Sequence, residues 1–67
     1  MKISFDPLWK TLIDKKLNKT EFASQVSLSK STLAKLGKNE YVSLEVIERI
    51  CDKLQIPIYD VVEIKKS

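Results

Sequence analysis

Apolar residues recur at helical spacing along most of this chain, and polar residues stand where each helix would begin. In the first segment one stripe holds Leu8, Trp9, Leu12 and Ile13. Asp6 precedes Pro7, which suits an N-cap followed by a proline at the first helical position, where its missing N–H costs nothing. The pattern fades near Lys16, so a first helix is predicted to end there.

Two short helices are predicted next. Asn18 and Glu21 have the spacing of a capping box, in which each side chain accepts from the other residue's backbone N–H. A second helix follows over about residues 19–25, and its inward residues are Phe22, Ala23 and Val26. Ser27 and Leu28 form a turn, and Ser29 is the expected N-cap of a third helix over residues 30–36. Gly37 is expected to end that helix as its left-handed residue.

The fourth helix has the clearest pattern. Ser43 is its expected N-cap, and one side of residues 44–54 carries Leu44, Val46, Ile47, Ile50, Cys51 and Leu54. Pro57 interrupts the pattern. A short fifth helix near residues 58–64 would bury Ile58, Val61 and Val62, with a frayed tail over residues 65–67.

These segments predict an all-α fold, with five short helices around one core in a single domain over residues 1–67. The chain contains one glycine and two prolines, which leaves little opportunity for hairpin turns. We find no internal repeat and no domain boundary.

The composition argues against most catalytic classes. The chain has no histidine and a single cysteine, Cys51, so it can form no intrachain disulfide and offers no recognisable metal-ligand spacing. No glycine-rich phosphate loop is present either. We therefore expect no enzymatic activity, no cofactor, no metal and no evident small-molecule ligand. The single thiol is expected to pack as a small hydrophobic side chain, which suits a reducing compartment. The chain also shows no signal sequence and no membrane span, so we expect a cytoplasmic protein with no membrane partner.

Residues 19–38 meet the requirements of a helix-turn-helix unit. Ala23 is small enough for close helix crossing, and the angle between the helices is filled by Phe22, Val26, Leu28, Leu33 and Leu36. On the third helix, the face opposite the two leucines carries Lys30, Ser31, Ala34 and Lys35. Such a face suits contact with base edges, since lysine donates to guanine and a hydroxyl serves several bases. An ordinary solvated face with a few lysines has the same composition, so both interpretations remain open at this point.

Charge is unevenly distributed along the chain, whose net charge is +3. Between residues 19 and 39, four lysines stand against one glutamate, whereas residues 40–54 have a net charge of −2. Positive charge therefore concentrates on the predicted helix-turn-helix unit, as phosphate binding requires.

The segment from Asn18 to Glu40, with its caps and spaced apolar positions, resembles the phage-repressor and Cro type of helix-turn-helix protein, the XRE family, and in particular its small stand-alone members. The resemblance implies that helix 3 enters the major groove of double-stranded DNA. By the same resemblance the base-reading positions are Lys30, Ser31 and Lys35, and the DNA-backbone positions are Lys19, Thr32, Lys38 and Asn39. Two departures are Ser27, where many members have glycine, and Lys19, where glutamine is common.

The function implied is a sequence-specific transcriptional regulator, and we expect a repressor. The family commonly binds as a dimer, so a homodimer is expected at least on DNA, and a monomer that pairs only on DNA is equally consistent. The alternative is a protein-interaction module on the same scaffold, such as an antitoxin or anti-repressor. Exposed apolar residues would mark that alternative, and the candidates are Phe5, Trp9, Tyr41, Ile58 and Tyr59.

Overall fold

A computed structural model describes residues 2–66, which form four α-helices, a 3₁₀ turn and a two-stranded antiparallel sheet. The elements in chain order are β1 (Lys2–Ser4), α1 (Asp6–Asp14), α2 (Lys19–Val26), α3 (Lys30–Gly37), α4 (Leu44–Leu54), the 3₁₀ turn (Ile58–Asp60) and β2 (Glu63–Lys65). The first four predicted helices are present. The fold is mostly helical, as predicted, but the count of five helices is wrong, because the chain after Pro57 forms the 3₁₀ turn and a strand; the all-α prediction also omits the strand pair.

Three side-chain caps set the beginnings of α2, α3 and α4, as the sequence predicts. The Asn18 Oδ1 accepts from the Glu21 N–H at 2.7 Å, and the Glu21 Oε1 accepts from the Asn18 N–H at 3.2 Å, which completes the capping box. The Ser29 Oγ accepts from the Thr32 N–H at 3.1 Å, and the Ser43 Oγ accepts from the Val46 N–H at 3.2 Å. Each cap satisfies a helical N–H that has no partner within its own helix.

Helix α1 begins and ends differently from the prediction. Phe5 occupies the N-cap position, and Asp6 lies in the first turn, where the Ser4 Oγ accepts from its N–H at 3.2 Å. The Asp6 carboxylate is not used as a cap, because it accepts from the Lys65 Nζ at 2.7 Å. The helix ends at Asp14, since Lys16 adopts a left-handed conformation with φ of 58°.

The end of α3 also differs from the prediction. Gly37 belongs to the helix and its φ is not positive; Asn39 is the left-handed residue instead, with φ of 57°. The Glu40 N–H then donates to the Lys35 carbonyl at 2.9 Å, which satisfies a carbonyl of the last turn. Asparagine adopts this conformation at little cost, so the helix extends one residue further than the glycine position indicates.

The two ends of the described chain pair with each other as strands β1 and β2. Lys2 lies opposite Lys65, Ile3 opposite Ile64, and Ser4 opposite Glu63. Each strand thereby satisfies backbone groups of the other. Lys65 is consequently part of the sheet and not of a frayed tail, while Ser67 falls outside the described residues.

The core lies between the four helices and the strand pair. Its buried apolar residues are Phe5, Leu8, Leu12, Phe22, Val26, Leu36, Ile47, Ile50, Leu54 and Val61. Phe5 is only 1% exposed, so it is no candidate for an exposed apolar site, whereas Ile58 is exposed instead of buried. Trp9 and Cys51 are half-buried against the core, and burial raises the pKa of the Cys51 thiol. Within residues 2–66, no helix combines the length and apolar character that crossing a membrane requires.

Candidate nucleic-acid interface

Helices α2 and α3 form a compact pair joined by a left-handed turn. Ser27 ends α2 with φ of 61° and ψ of 47°, and the Leu28 N–H donates to the Ala23 carbonyl at 2.9 Å. The Nη1 of Arg49, on α4, donates to the Ser27 carbonyl at 3.2 Å. This contact attaches the turn to the helix behind it, so the relative position of α2 and α3 is supported from the core side.

One face of α3 is open to solvent, and we call it the recognition face: Lys30, Ser31, Ala34 and Lys35, all exposed. Leu36 is fully buried on the opposite side, and Leu33 is half-buried. The structure therefore brings the three predicted base-reading residues onto one exposed surface. Ala34 lies between them, and its single methyl group projects only a short distance from the helix.

Lys19 begins α2 and contacts the only tryptophan of the chain. Its Nζ lies 4.6 Å from the centroid of the Trp9 ring, within the range of a cation–π interaction. Trp9 thus positions the ammonium group at the start of α2 while leaving the lysine exposed. A cation held in this way loses less conformational freedom when it meets a phosphate.

Thr32 belongs to the cap of α3. Its N–H donates to the Ser29 Oγ, and the Ser29 hydroxyl in turn donates to the Thr32 Oγ1 at 3.0 Å. Thr32 is half-buried, so its first role is to complete the cap. A contact with DNA would use the remaining capacity of its hydroxyl.

Lys38 and Asn39 directly follow the recognition face in the sequence, and the Asn39 side chain already makes a hydrogen bond within the protein. Lys38 is exposed. The Asn39 Oδ1 accepts from the Phe5 N–H at 2.9 Å and so joins the connection after α3 to the end of β1. Its NH₂ group is therefore the end of this side chain that can donate to a phosphate.

A basic groove beside Asn39 was missed by the sequence interpretation. This strand groove has a volume of about 290 Å³, and its lining residues are Lys2, Ile3, Ser4, Lys38, Asn39, Lys65 and Lys66. A second depression, of about 370 Å³, continues from it past Glu40 to Tyr41. The signal in the sequence was the alternation of Ile3 and Ile64 with polar neighbours, but each alternating stretch is too short to predict a strand.

Comparison with known proteins agrees with this geometry. The family model of the Cro/C1-type HTH DNA-binding domain matches residues 7–67. Among solved structures, the crystal structure of the transcriptional regulator VanUg, form II, superposes with a TM-score of 0.94 at 45% sequence identity, covering 98% of this chain and 88% of the other. No match was found among curated protein sequences. The findings support a DNA-binding regulator, and the chain belongs to the family of Cro/C1-type helix-turn-helix DNA-binding domains.

Proposed function

We propose that this protein is a sequence-specific repressor that inserts α3 into the major groove of double-stranded DNA. The observation that carries the proposal is the recognition face, where Lys30, Ser31 and Lys35 are exposed together around Ala34. The similar structure is that of a transcriptional regulator, which supports the same class of function. Repression requires only that DNA be occupied, whereas activation requires a further surface that contacts the transcription machinery.

Each residue of the recognition face has a distinct chemical role in this proposal. The two lysine ammonium groups donate to guanine O6 and N7, and the Ser31 hydroxyl donates or accepts according to the base. The Ala34 methyl group fits against a thymine methyl group and adds no bulk that would keep α3 out of the groove. These contacts supply sequence preference.

Four further residues are proposed to contact the DNA backbone: Lys19, Thr32, Lys38 and Asn39. Lys19 and Lys38 are exposed cations at the beginning of α2 and at the end of α3, so they flank the recognition face. Phosphate contacts of this kind fix the register of the protein without selecting a sequence. Lys19→Ala and Lys38→Ala should each reduce the slope of log K against log salt concentration by about 0.9.

The experiment is a selection of bound DNA from random duplexes with wild type, Lys30→Ala, Ser31→Ala and Lys35→Ala. Ser31→Ala is the sharpest variant, because it changes no charge and lies on an exposed face. It should weaken binding to the preferred site by about 0.5–1.5 kcal/mol, as expected for one hydrogen bond, and relax one position of the selected motif. Ser24→Ala, an exposed serine on α2, is the matched control and should return the wild-type motif. An unchanged motif from all three recognition-face variants would refute the proposal.

We also propose that two copies of the chain pair through an apolar surface, the Tyr41 patch, defined by Tyr41, Leu44 and Ile58. These side chains are 82%, 79% and 52% exposed and border a groove of about 150 Å³ between β1, α4 and the 3₁₀ turn. They expose on the order of 400 Å², about half of the ~800 Å² that each partner buries in a standard interface. The pairing is therefore weak in solution and requires two DNA half-sites to hold the copies together.

The variants Tyr41→Ser and Leu44→Ser test this pairing. Both should abolish cooperative binding to a palindromic site while leaving affinity for a single half-site unchanged. Retained cooperativity would mean that the patch does not join two copies. It would then favour the alternative function, in which the patch binds a different protein, as in an antitoxin or anti-repressor.

A further inference from the structure

The strand groove brings lysines together from three parts of the chain. Lys2 comes from β1, Lys65 and Lys66 from β2 and the residue after it, and Lys38 from the end of α3. Lys2 and Lys65 lie directly opposite each other in the sheet register. Like charges at such cross-strand positions destabilise a strand pair. At Lys65 this cost is offset by nearby carboxylates, so the uncompensated positive charge of the groove lies on the lysines around it.

Only part of this positive charge is neutralised within the protein. The Lys65 Nζ lies 2.7 Å from the Asp6 Oδ2, and this contact holds the pKa of Asp6 below its ordinary value and that of Lys65 above it. Across residues 2–66, the ion pairs are Lys65–Asp6 and Arg49–Glu45. Lys2, Lys38 and Lys66 thus have no carboxylate partner in that part of the chain, although Glu40 borders the adjoining depression.

The position of the groove connects it to the recognition face. Lys38 follows α3 directly, and Asn39 joins this connection to the end of β1 through its hydrogen bond with the Phe5 N–H. Three residues of extended strand then reach from Phe5 back to Lys2, a span of about 10 Å. The strand groove therefore begins at Lys38, beside the recognition face, and extends along β1 over about three phosphate spacings, measured along the duplex axis.

We propose that the strand groove binds a phosphate of the DNA backbone outside the base pairs contacted by α3, with Lys2 and Lys66 as its additional cations. The proposal rests on the proposed DNA-binding function and adds a site to it. A phosphate between Lys2, Lys38 and Lys66 supplies the negative charge that these lysines lack among residues 2–66. Binding at the groove is therefore favoured by counterion release from DNA and by attraction between the phosphate and these lysines.

The test measures the salt dependence of DNA binding for Lys2→Gln, Lys66→Gln and the double variant. Each lost contact should lower the slope of log K against log salt concentration by about 0.9, which corresponds to about eightfold weaker binding at 0.1 M salt. The selected DNA motif should not change, because phosphate contacts carry no base preference. Lys53→Gln removes the same charge from an exposed position next to Asp52 on α4 and should keep the wild-type slope.

Thermal stability separates phosphate binding from a structural role. Lys2→Gln should not lower the melting temperature of the free protein, because Lys2 has no carboxylate partner among residues 2–66 to lose. Lys66→Gln alters no strand residue and should leave the melting temperature unchanged. A lysine that only supported the fold would lower stability and affinity together.

Two results would overturn the inference: slopes equal to that of Lys53→Gln, or a loss of DNA affinity that follows a fall in melting temperature. Replacing single flanking phosphates with neutral methylphosphonates gives an independent check. At one flanking position, this replacement should weaken DNA binding by the wild type but not by the double variant. Failure of the proposed function is distinguishable, because it would appear as unchanged motifs in the selections with all three recognition-face variants, whatever the salt slopes of Lys2→Gln and Lys66→Gln.

Discussion

Asn39 allows a quantitative test of how the connection after α3 is held. It combines a left-handed backbone, with φ of 57°, and a hydrogen bond from the Phe5 N–H to its Oδ1 at 2.9 Å. Asn39→Ala removes the acceptor and leaves the N–H of a residue that is 1% exposed without its partner, at a cost of about 1–3 kcal/mol. The alanine Cβ in the left-handed region adds about 1 kcal/mol. The expected total loss is about 2–4 kcal/mol.

This loss is large for a chain of 67 residues, because unfolding free energies of about 0.05–0.15 kcal/mol per residue give only about 3–10 kcal/mol in all. Urea denaturation followed by circular dichroism at 222 nm measures the change, provided that the m-values agree. Asn39→Gly isolates the hydrogen bond, since glycine has no penalty at positive φ, and should lose only about 1–3 kcal/mol. Asn39→Asp keeps an acceptor and should remain near wild type.

The three variants together can contradict the reasoning. An Asn39→Ala protein within about 0.5 kcal/mol of wild type would show that the hydrogen bond contributes nothing. If Asn39→Ala and Asn39→Gly lost the same free energy of unfolding, the left-handed backbone of this residue would impose no penalty on alanine. Asn39→Asp also separates folding from binding: its stability should be retained while DNA affinity falls, because a carboxylate beside Lys38 repels phosphate.

Two further predictions follow from local geometry. Ser27→Gly should raise the free energy of unfolding by about 1 kcal/mol in urea denaturation, because Ser27 has φ of 61°. Ser24→Gly, within α2, should lower it by about 0.5 kcal/mol, and a loss in both variants would contradict the argument. Asp6→Asn should differ from wild type in thermal stability by an amount that depends on pH. The Lys65 contact stabilises the folded wild type above the pKa of Asp6 in the unfolded chain, near 3.8. This stabilisation disappears as the pH falls through the lowered pKa of Asp6 in the folded protein. A stability gap that stays constant down to pH 2 would exclude the ion pair as its source.

The helical part of the fold was predictable because its signals are local. Asn18, Ser29 and Ser43 cap helices within three residues of themselves, and each cap is present where the sequence places it. The left-handed residue after α3 was predicted at Gly37, and this was wrong, because Asn39 also tolerates that conformation and adopts it here. Glycine is the commoner choice at that position, but here the hydrogen bond to Phe5 fixes Asn39 instead.

The strand pair depends on contacts that no local pattern records. Ile3 and Ile64 lie opposite each other although almost the whole chain separates them in sequence. A three-residue strand has too few positions to show an alternation, and Ile58 to Ile64 have an apolar spacing that also suits a helix. The same reason explains why the recognition face was predictable and the strand groove was not: α3 lies within one segment, whereas the groove requires both ends of the chain.

The pairing of β1 with β2 also has a consequence for the order of folding. Closing a loop of nearly the whole chain costs about 3–4 kcal/mol of entropy before the first strand hydrogen bond forms. The helices contact one another over shorter separations, so they pack first and bring the strands together at little further cost. Substitutions in the strand pair should then accelerate unfolding and leave the folding rate unchanged. The groove lined by Lys2 and Lys65 is completed in that last step, after the helix-turn-helix unit has formed.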